Sequence, residues 1–149
     1  MRFAQKEIVL QEVPGEVSIC FSITGCPLQC QGCHSPYLWK ENNGELLTTD
    51  IYKNILEKYK GFATCVLFMG GEWFPKDLEE FLKIAKTFNY KTCLYTGYNA
   101  IPDSILQQLT WLKTGPWNPS LGGLSNPNTN QKFIEVATGK KLNHLFIAS

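Results

Sequence analysis

Three cysteines fall within eight residues in the stretch Cys26-Pro27-Leu28-Gln29-Cys30-Gln31-Gly32-Cys33, a C-x3-C-x2-C spacing. A loop so spaced can wrap three thiolates around three corners of a cubane iron–sulfur cluster. An electron-transfer [4Fe-4S] centre normally takes four cysteines, so three in one loop leave one iron open to a substrate or cofactor. The competing metal reading is a structural zinc site of the Cys3His kind, with His34 as fourth ligand. Adjacent Cys33 and His34 converge poorly on one tetrahedral ion. A second knuckle would have to come from elsewhere, and the only other histidine is His144.

A second place with chemical potential is Phe68-Met69-Gly70-Gly71-Glu72. Two glycines directly after an apolar run lack the Cβ atoms that would keep a ligand off the backbone. Backbone carbonyls and the Glu72 carboxylate could then receive a cationic amine. Taken alone, Gly-Gly at a strand end also reads as an ordinary turn. The other cysteines, Cys20, Cys65 and Cys93, are scattered through strand-like segments and read as small buried hydrophobes.

The elements that must position these residues alternate along the chain. Residues 17–23 place Val17, Ile19, Phe21 and Ile23 on one face of a strand and Ser18, Cys20 and Ser22 on the other, a small, weakly polar face suited to lining a cavity. The cysteine stretch leaves this strand directly. Ile51, Ile55, Leu56 and Tyr59 share a helix face, with Thr48 or Thr49 as cap and Gly61 beyond its end. Residues 64–69 predict a buried strand, and Leu78, Phe81, Leu82, Ala85 and Phe88 a helix opening near Pro75. Lys91 to Thr96 predicts a further strand, Pro102 opens a shorter helix, and Trp111-Leu112-Lys113 a fourth strand. Such alternation predicts an α/β fold of parallel strands with ligands at their carboxyl ends, where the cysteines and Gly70-Gly71 fall. Residues 115–130, crowded with Gly, Pro, Asn and Ser, predict a long irregular loop. Lys132 to Ala137 and Leu142 to Ile147 predict a β-hairpin around Thr138-Gly139-Lys140.

The 149 residues suit a single domain, 1–149, able to bury roughly two thirds of its unfolded surface. A formal net charge of +1, with no block of like charges, argues against nucleic acid as a partner. The longest apolar runs are too short to span a bilayer, and the first residues lack the apolar stretch of a secretory signal. The expectation is a cytoplasmic protein without a membrane partner. Six cysteines in that compartment point to metal or redox chemistry rather than disulfides.

The cysteine loop resembles the signature of the radical S-adenosylmethionine superfamily, and Gly70-Gly71-Glu72 looks like its Gly-Gly-Glu motif. Within that superfamily the chain is most similar to the activating proteins of anaerobic (class III) ribonucleotide reductases. Thr24-Gly25-Cys26-Pro27, Gly32-Cys33, Cys93-Leu94-Tyr95-Thr96-Gly97-Tyr98 and Thr129-Asn130-Gln131 carry the likeness, spread over most of the chain. Gly32 before the third cysteine, with the His34 ring after it, separates these activases from the many members that carry an aromatic residue before that cysteine. Two stretches depart from the pattern. Trp73 follows Glu72 where the family commonly has proline, and residues 115–128 match the usual loop only loosely.

The resemblance implies a partial (β/α) barrel of the truncated radical S-adenosylmethionine type. It implies that Cys26, Cys30 and Cys33 ligate a [4Fe-4S] cluster whose open iron chelates S-adenosyl-L-methionine. Gly70, Gly71 and Glu72 would hold the methionine amino group, Gly32, Cys33 and His34 would border the cofactor, and Thr96 could contact it. The implied activity is reductive cleavage of the cofactor and generation of a glycyl radical on the large subunit of the reductase, with no side chain acting as acid or base. Cleaving a sulfonium needs a cluster at the negative end of the potential range, hence a low-potential donor such as flavodoxin. Activation of another glycyl radical enzyme and small-molecule chemistry of the deazapurine synthase type are enzymatic alternatives. An iron–sulfur electron carrier and a zinc-stabilised binding module are alternatives of another class.

Overall fold

The computed structural model describes residues 1–28, 30 and 36–147. Among these, one sheet holds β1 (Arg2–Val9), β2 (Ser18–Ile23), β3 (Glu45–Leu46), β4 (Cys65–Met69), β5 (Lys91–Tyr95), β6 (Trp111–Thr114), β7 (Lys132–Glu135) and β8 (Lys140–Lys141). The order across it is β3-β1-β2-β4-β5-β6-β7-β8. The middle four strands, β2, β4, β5 and β6, are parallel, and both flanks are antiparallel. Helices α1 (Thr49–Lys58), α2 (Pro75–Thr87) and α3 (Asp103–Leu106) precede β4, β5 and β6 in turn.

All three helices pack on one face of the sheet. Ile19, Phe21 and Ile23 of β2 meet Tyr52 and Leu56 of α1, Leu78, Phe81 and Leu82 of α2 and Ile105 of α3 in a single core. Aromatic rings dominate it, with Phe21 stacked on Phe68 at 5.4 Å and Tyr52 against Phe81 at 4.7 Å between centroids. Burying such side chains stabilises the fold by about 1.5–3 kcal/mol apiece. The Tyr52 hydroxyl avoids a desolvation cost by donating to the Phe81 carbonyl at 2.7 Å.

Local chemistry sets the helix ends. The Thr48 hydroxyl accepts from the Ile51 amide at 3.2 Å and caps α1. Pro75 opens α2 with Asp77 in its first turn, and Glu79 pairs with Lys83 at 3.0 Å one turn on. Asn89 ends the α2 connection at φ +66°, a conformation that asparagine tolerates better than most residues.

The opposite face carries a smaller core of Val13, Cys20, Cys65, Leu67, Cys93, Leu124 and Phe133. The register explains why the scattered cysteines gather here: Cys20 lies beside Leu67, and Leu67 beside Cys93, across three adjacent strands. The small second face of β2 is therefore buried. Burial pushes the Cys20 and Cys65 thiols up to about 12 and the Cys93 thiol well above its ordinary value.

Two features differ from the sequence reading. β1 is a full strand, with a register shift between Phe3 and Gln5, where the sequence reading placed no element. The C-terminal hairpin has a second arm of only two residues. Leu142 to Ile147 does not extend it, because Asn143 opens a 3-10 turn whose side chain accepts from the Phe133 amide at 2.8 Å and donates to the Gln131 carbonyl at 2.9 Å. Residues 115–130 hold no strand or helix and are pinned by polar contacts, such as Asn130 Nδ2 to the Pro116 carbonyl at 3.0 Å. Among the described residues no helix is long and apolar enough to cross a membrane.

Candidate metal centre

Four parallel strands deliver their carboxyl ends to one side of the sheet, the side on which open α/β sheets bind ligands. β2 leads into Thr24-Gly25-Cys26, β4 into Gly70-Gly71-Glu72, β5 into Thr96-Gly97, and β6 into Gly115. Cys26 and Cys30 are half-buried there. Gly32, Cys33 and His34 lie outside the described residues.

The loop bearing Cys26 and Cys30 is tied down from several directions. The Gly25 and Cys26 amides donate to the Leu38 carbonyl at 2.7 and 3.1 Å, so the 3-10 turn Pro36–Trp39 folds back onto the start of the loop. The Thr24 hydroxyl donates to the Glu41 carbonyl at 2.9 Å. Gly25 turns the chain at φ +91°, open to glycine at no steric cost. Leu28 rests on Gly97 so closely that a Cβ at Gly97 would run into Cδ1 of the leucine.

On the neighbouring strand Gly70 and Gly71 take φ +84° and +111°. The Gly70 amide donates to the Tyr95 carbonyl at 2.9 Å, and the Phe74 amide to the Gly71 carbonyl at 2.9 Å. This turn aims Glu72 inward, and only 8% of that residue is exposed. The Thr96 hydroxyl donates to Glu72 Oε1 at 2.5 Å, whereas Glu72 Oε2 is buried with no hydrogen-bond partner among the described residues. Burial pushes the Glu72 carboxyl above the usual carboxylate range, and the Thr96 hydrogen bond and the Lys113 charge offset part of that rise.

Lys113 is the polar residue that sequence reasoning missed. Its ammonium donates to the Thr96 and Gly115 carbonyls, both at 3.2 Å, and stands 5.7 Å from the Tyr95 ring centre. Burial lowers its pKa to about 8, against the opposing pull of Cys30 and Glu72. The available signal was strand alternation: register with Tyr95 turns Lys113 to the helix-free face. There it lines a cavity of about 420 Å³ with Glu12, Tyr95 and Gln131. A larger groove of about 660 Å³, lined by Lys86, Tyr90 and Gln108, includes the first residues of β5 and no cysteine.

Cys26 and Cys30 sit four residues apart in one anchored loop, and the Lys113 ammonium lies within electrostatic reach of Cys30. Cys20, Cys65 and Cys93 are held as neutral thiols in an apolar core and do not suit ligation. Among the described residues no group of three or more histidine, cysteine, aspartate or glutamate side chains stands together as a metal site. The third cysteine of the loop is outside that set, and His144 belongs to the C-terminal 3-10 turn. The residues present fit a cluster held from this loop.

A search of the curated proteins finds no match. The family model described as a 4Fe-4S single cluster domain matches residues 13–115 of the 149, from the turn before β2 to the residue after β6. The span takes in the cysteine loop, Glu72, Thr96 and Lys113 together, and on that match the chain belongs to the family of 4Fe-4S single cluster domains.

Proposed function

We propose that this chain is a radical S-adenosylmethionine activating enzyme that generates a glycyl radical on an anaerobic ribonucleotide reductase. The observation that carries the reading is Glu72 Oε2, a buried acceptor without a partner among the described residues, beside a Gly-Gly turn and at the same end of the parallel strands as the start of the cysteine loop. A buried carboxylate oxygen left unpaired costs free energy until a donor arrives. The ammonium of a methionine moiety is such a donor, and it carries the complementary charge.

In this reading Cys26, Cys30 and Cys33 hold the cluster, which when bound supplies the electron for cleaving the sulfonium of S-adenosyl-L-methionine. Glu72 receives the methionine ammonium, Thr96 holds the carboxylate in orientation, and Gly70 and Gly71 let the ligand lie against the backbone. Gly32 and His34 border the cofactor. The placement of all three helices on one face supports a partial (β/α) barrel, since a doubly wound sheet would carry helices on both. A low-potential donor such as flavodoxin would reduce the cluster.

The test is anaerobic reconstitution followed by dithionite and S-adenosyl-L-methionine. The expected product is 5′-deoxyadenosine, and addition of the reductase large subunit should give a glycyl radical signal in electron paramagnetic resonance. Deoxyadenosine without the radical signal would move the assignment to another radical enzyme. A cluster that yields no deoxyadenosine would leave an electron carrier.

A further inference from the structure

Trp73 touches both halves of the site. Its indole N–H donates to the Thr24 carbonyl at 3.0 Å, on the strand end that leads into the cysteine loop. Its six-membered ring lies over Gly70, where an added Cβ would run into the ring and stand only 3.1 Å from Cζ3. A Cβ at Gly25 would stand 3.2 Å from the indole nitrogen. The ring therefore fits because both residues it bridges are glycines, each at positive φ. Trp73 is also the residue directly after Glu72, so the orientation of the indole and that of the buried carboxylate are coupled through one peptide bond.

We infer that Trp73 is a positioning residue that sets the separation between the cysteine loop and the Gly70-Gly71-Glu72 turn, and with it the fit of a ligand spanning the two. The inference rests on the proposed function, because only a ligand held at one end by the cluster and at the other by Glu72 would sense that separation. Trp73 packs against the main core as well, beside Phe74. A residue that merely filled core volume would change stability and leave ligand affinity per loaded cluster untouched.

The geometry separates two contributions. Trp73→Phe keeps an aromatic ring between the glycines and loses the donor to Thr24. Trp73→Ala loses both.

The experiment uses the reconstituted holoprotein. Iron per chain, the unfolding midpoint, and the affinity for S-adenosyl-L-methionine are measured for the parent, Trp73→Phe and Trp73→Ala, with affinity read from the ligand-induced change in the electron paramagnetic resonance spectrum of the reduced cluster. The expected result is iron content close to the parent in both variants, with Kd raised several-fold in Trp73→Phe and by about tenfold or more in Trp73→Ala. If both variants bind within about twofold of the parent per cluster, or if the affinity loss only follows the loss of iron, the positioning role is overturned. Should Trp73→Ala fail to fold, Trp73→Phe alone decides by the same criterion. A parent that shows no ligand-induced spectral change overturns the proposed function and this inference together, whereas a responsive parent with unaffected variants overturns this inference alone.

Discussion

The Thr96 hydroxyl donates to Glu72 Oε1 at 2.5 Å, joining the residue after β5 to the turn after β4 and leaving the second carboxylate oxygen unpaired among the described residues. Thr96→Val keeps the shape and removes this partner. It is expected to destabilise the cluster-free protein by about 1–3 kcal/mol at neutral pH, measured by denaturant unfolding.

Glu72 also dictates a pH dependence. Its folded pKa is raised above the ordinary value of 4.5, so the folded state binds more protons than the unfolded state between the two. Stability contributed by the neutral carboxyl is present below that window and is lost as pH rises through it. Glu72→Gln should remove this slope from unfolding free energies measured as pH is raised above 4.5, and, on the proposed function, should also weaken binding of S-adenosyl-L-methionine.

Lys113 gives a slope of the opposite sign. Its folded pKa of about 8 lies below the ordinary 10.5, so the unfolded state binds more protons between those values. Stability should therefore rise as pH climbs from about 8 towards 10.5, and Lys113→Met should flatten that rise. Thermal unfolding at several pH values checks it.

Cysteine substitutions should sort by position. Cys30→Ala is expected to abolish iron retention after anaerobic reconstitution with the circular dichroism spectrum unchanged. Cys93→Ser should retain as much iron as the parent, about four per chain expected for both, yet unfold more readily, because a hydroxyl would be buried among Leu67, Phe133 and the other thiols.

Gly97→Ala addresses the anchoring of the loop. The added methyl meets the far end of Leu28, a side chain that can swing aside, so stability should change by only about 1 kcal/mol. Leu28, between Cys26 and Cys30, would lose its rest on Gly97. The loaded variant is expected to give up iron to a chelator faster than the parent.

Much of this arrangement was legible in the residues themselves. The alternation of 17–23, the apolar spacing from Leu78 to Ala85 and the capping Thr48 marked β2, α2 and α1 because each signal is local. β1 escaped because Arg2, Gln5, Lys6 and Glu7 interrupt its pattern and its register slips between Phe3 and Gln5. The partnership of Glu72 with Thr96 joins residues 24 apart in sequence and depends on strand order, which no local spacing encodes. Lys113 was read as part of a strand, but which side it faced was settled by its pairing with Tyr95. The reach of Trp73 across to Thr24 likewise follows from packing and not from its position after Glu72.

The irregular β1 has a further bearing on how the molecule can be approached. Beyond Phe3 its outer margin has no neighbouring strand among the described residues, because β3 reaches only Arg2 and Phe3. Unsatisfied amides and carbonyls along such a margin invite annexation by another polypeptide, yet this one is broken by the slip and studded with Lys6 and Glu7. A visiting chain would find no straight ladder to continue. If the protein acts on a large protein partner, as proposed above, recognition would fall to loops and side chains, which can discriminate, and not to backbone pairing, which cannot.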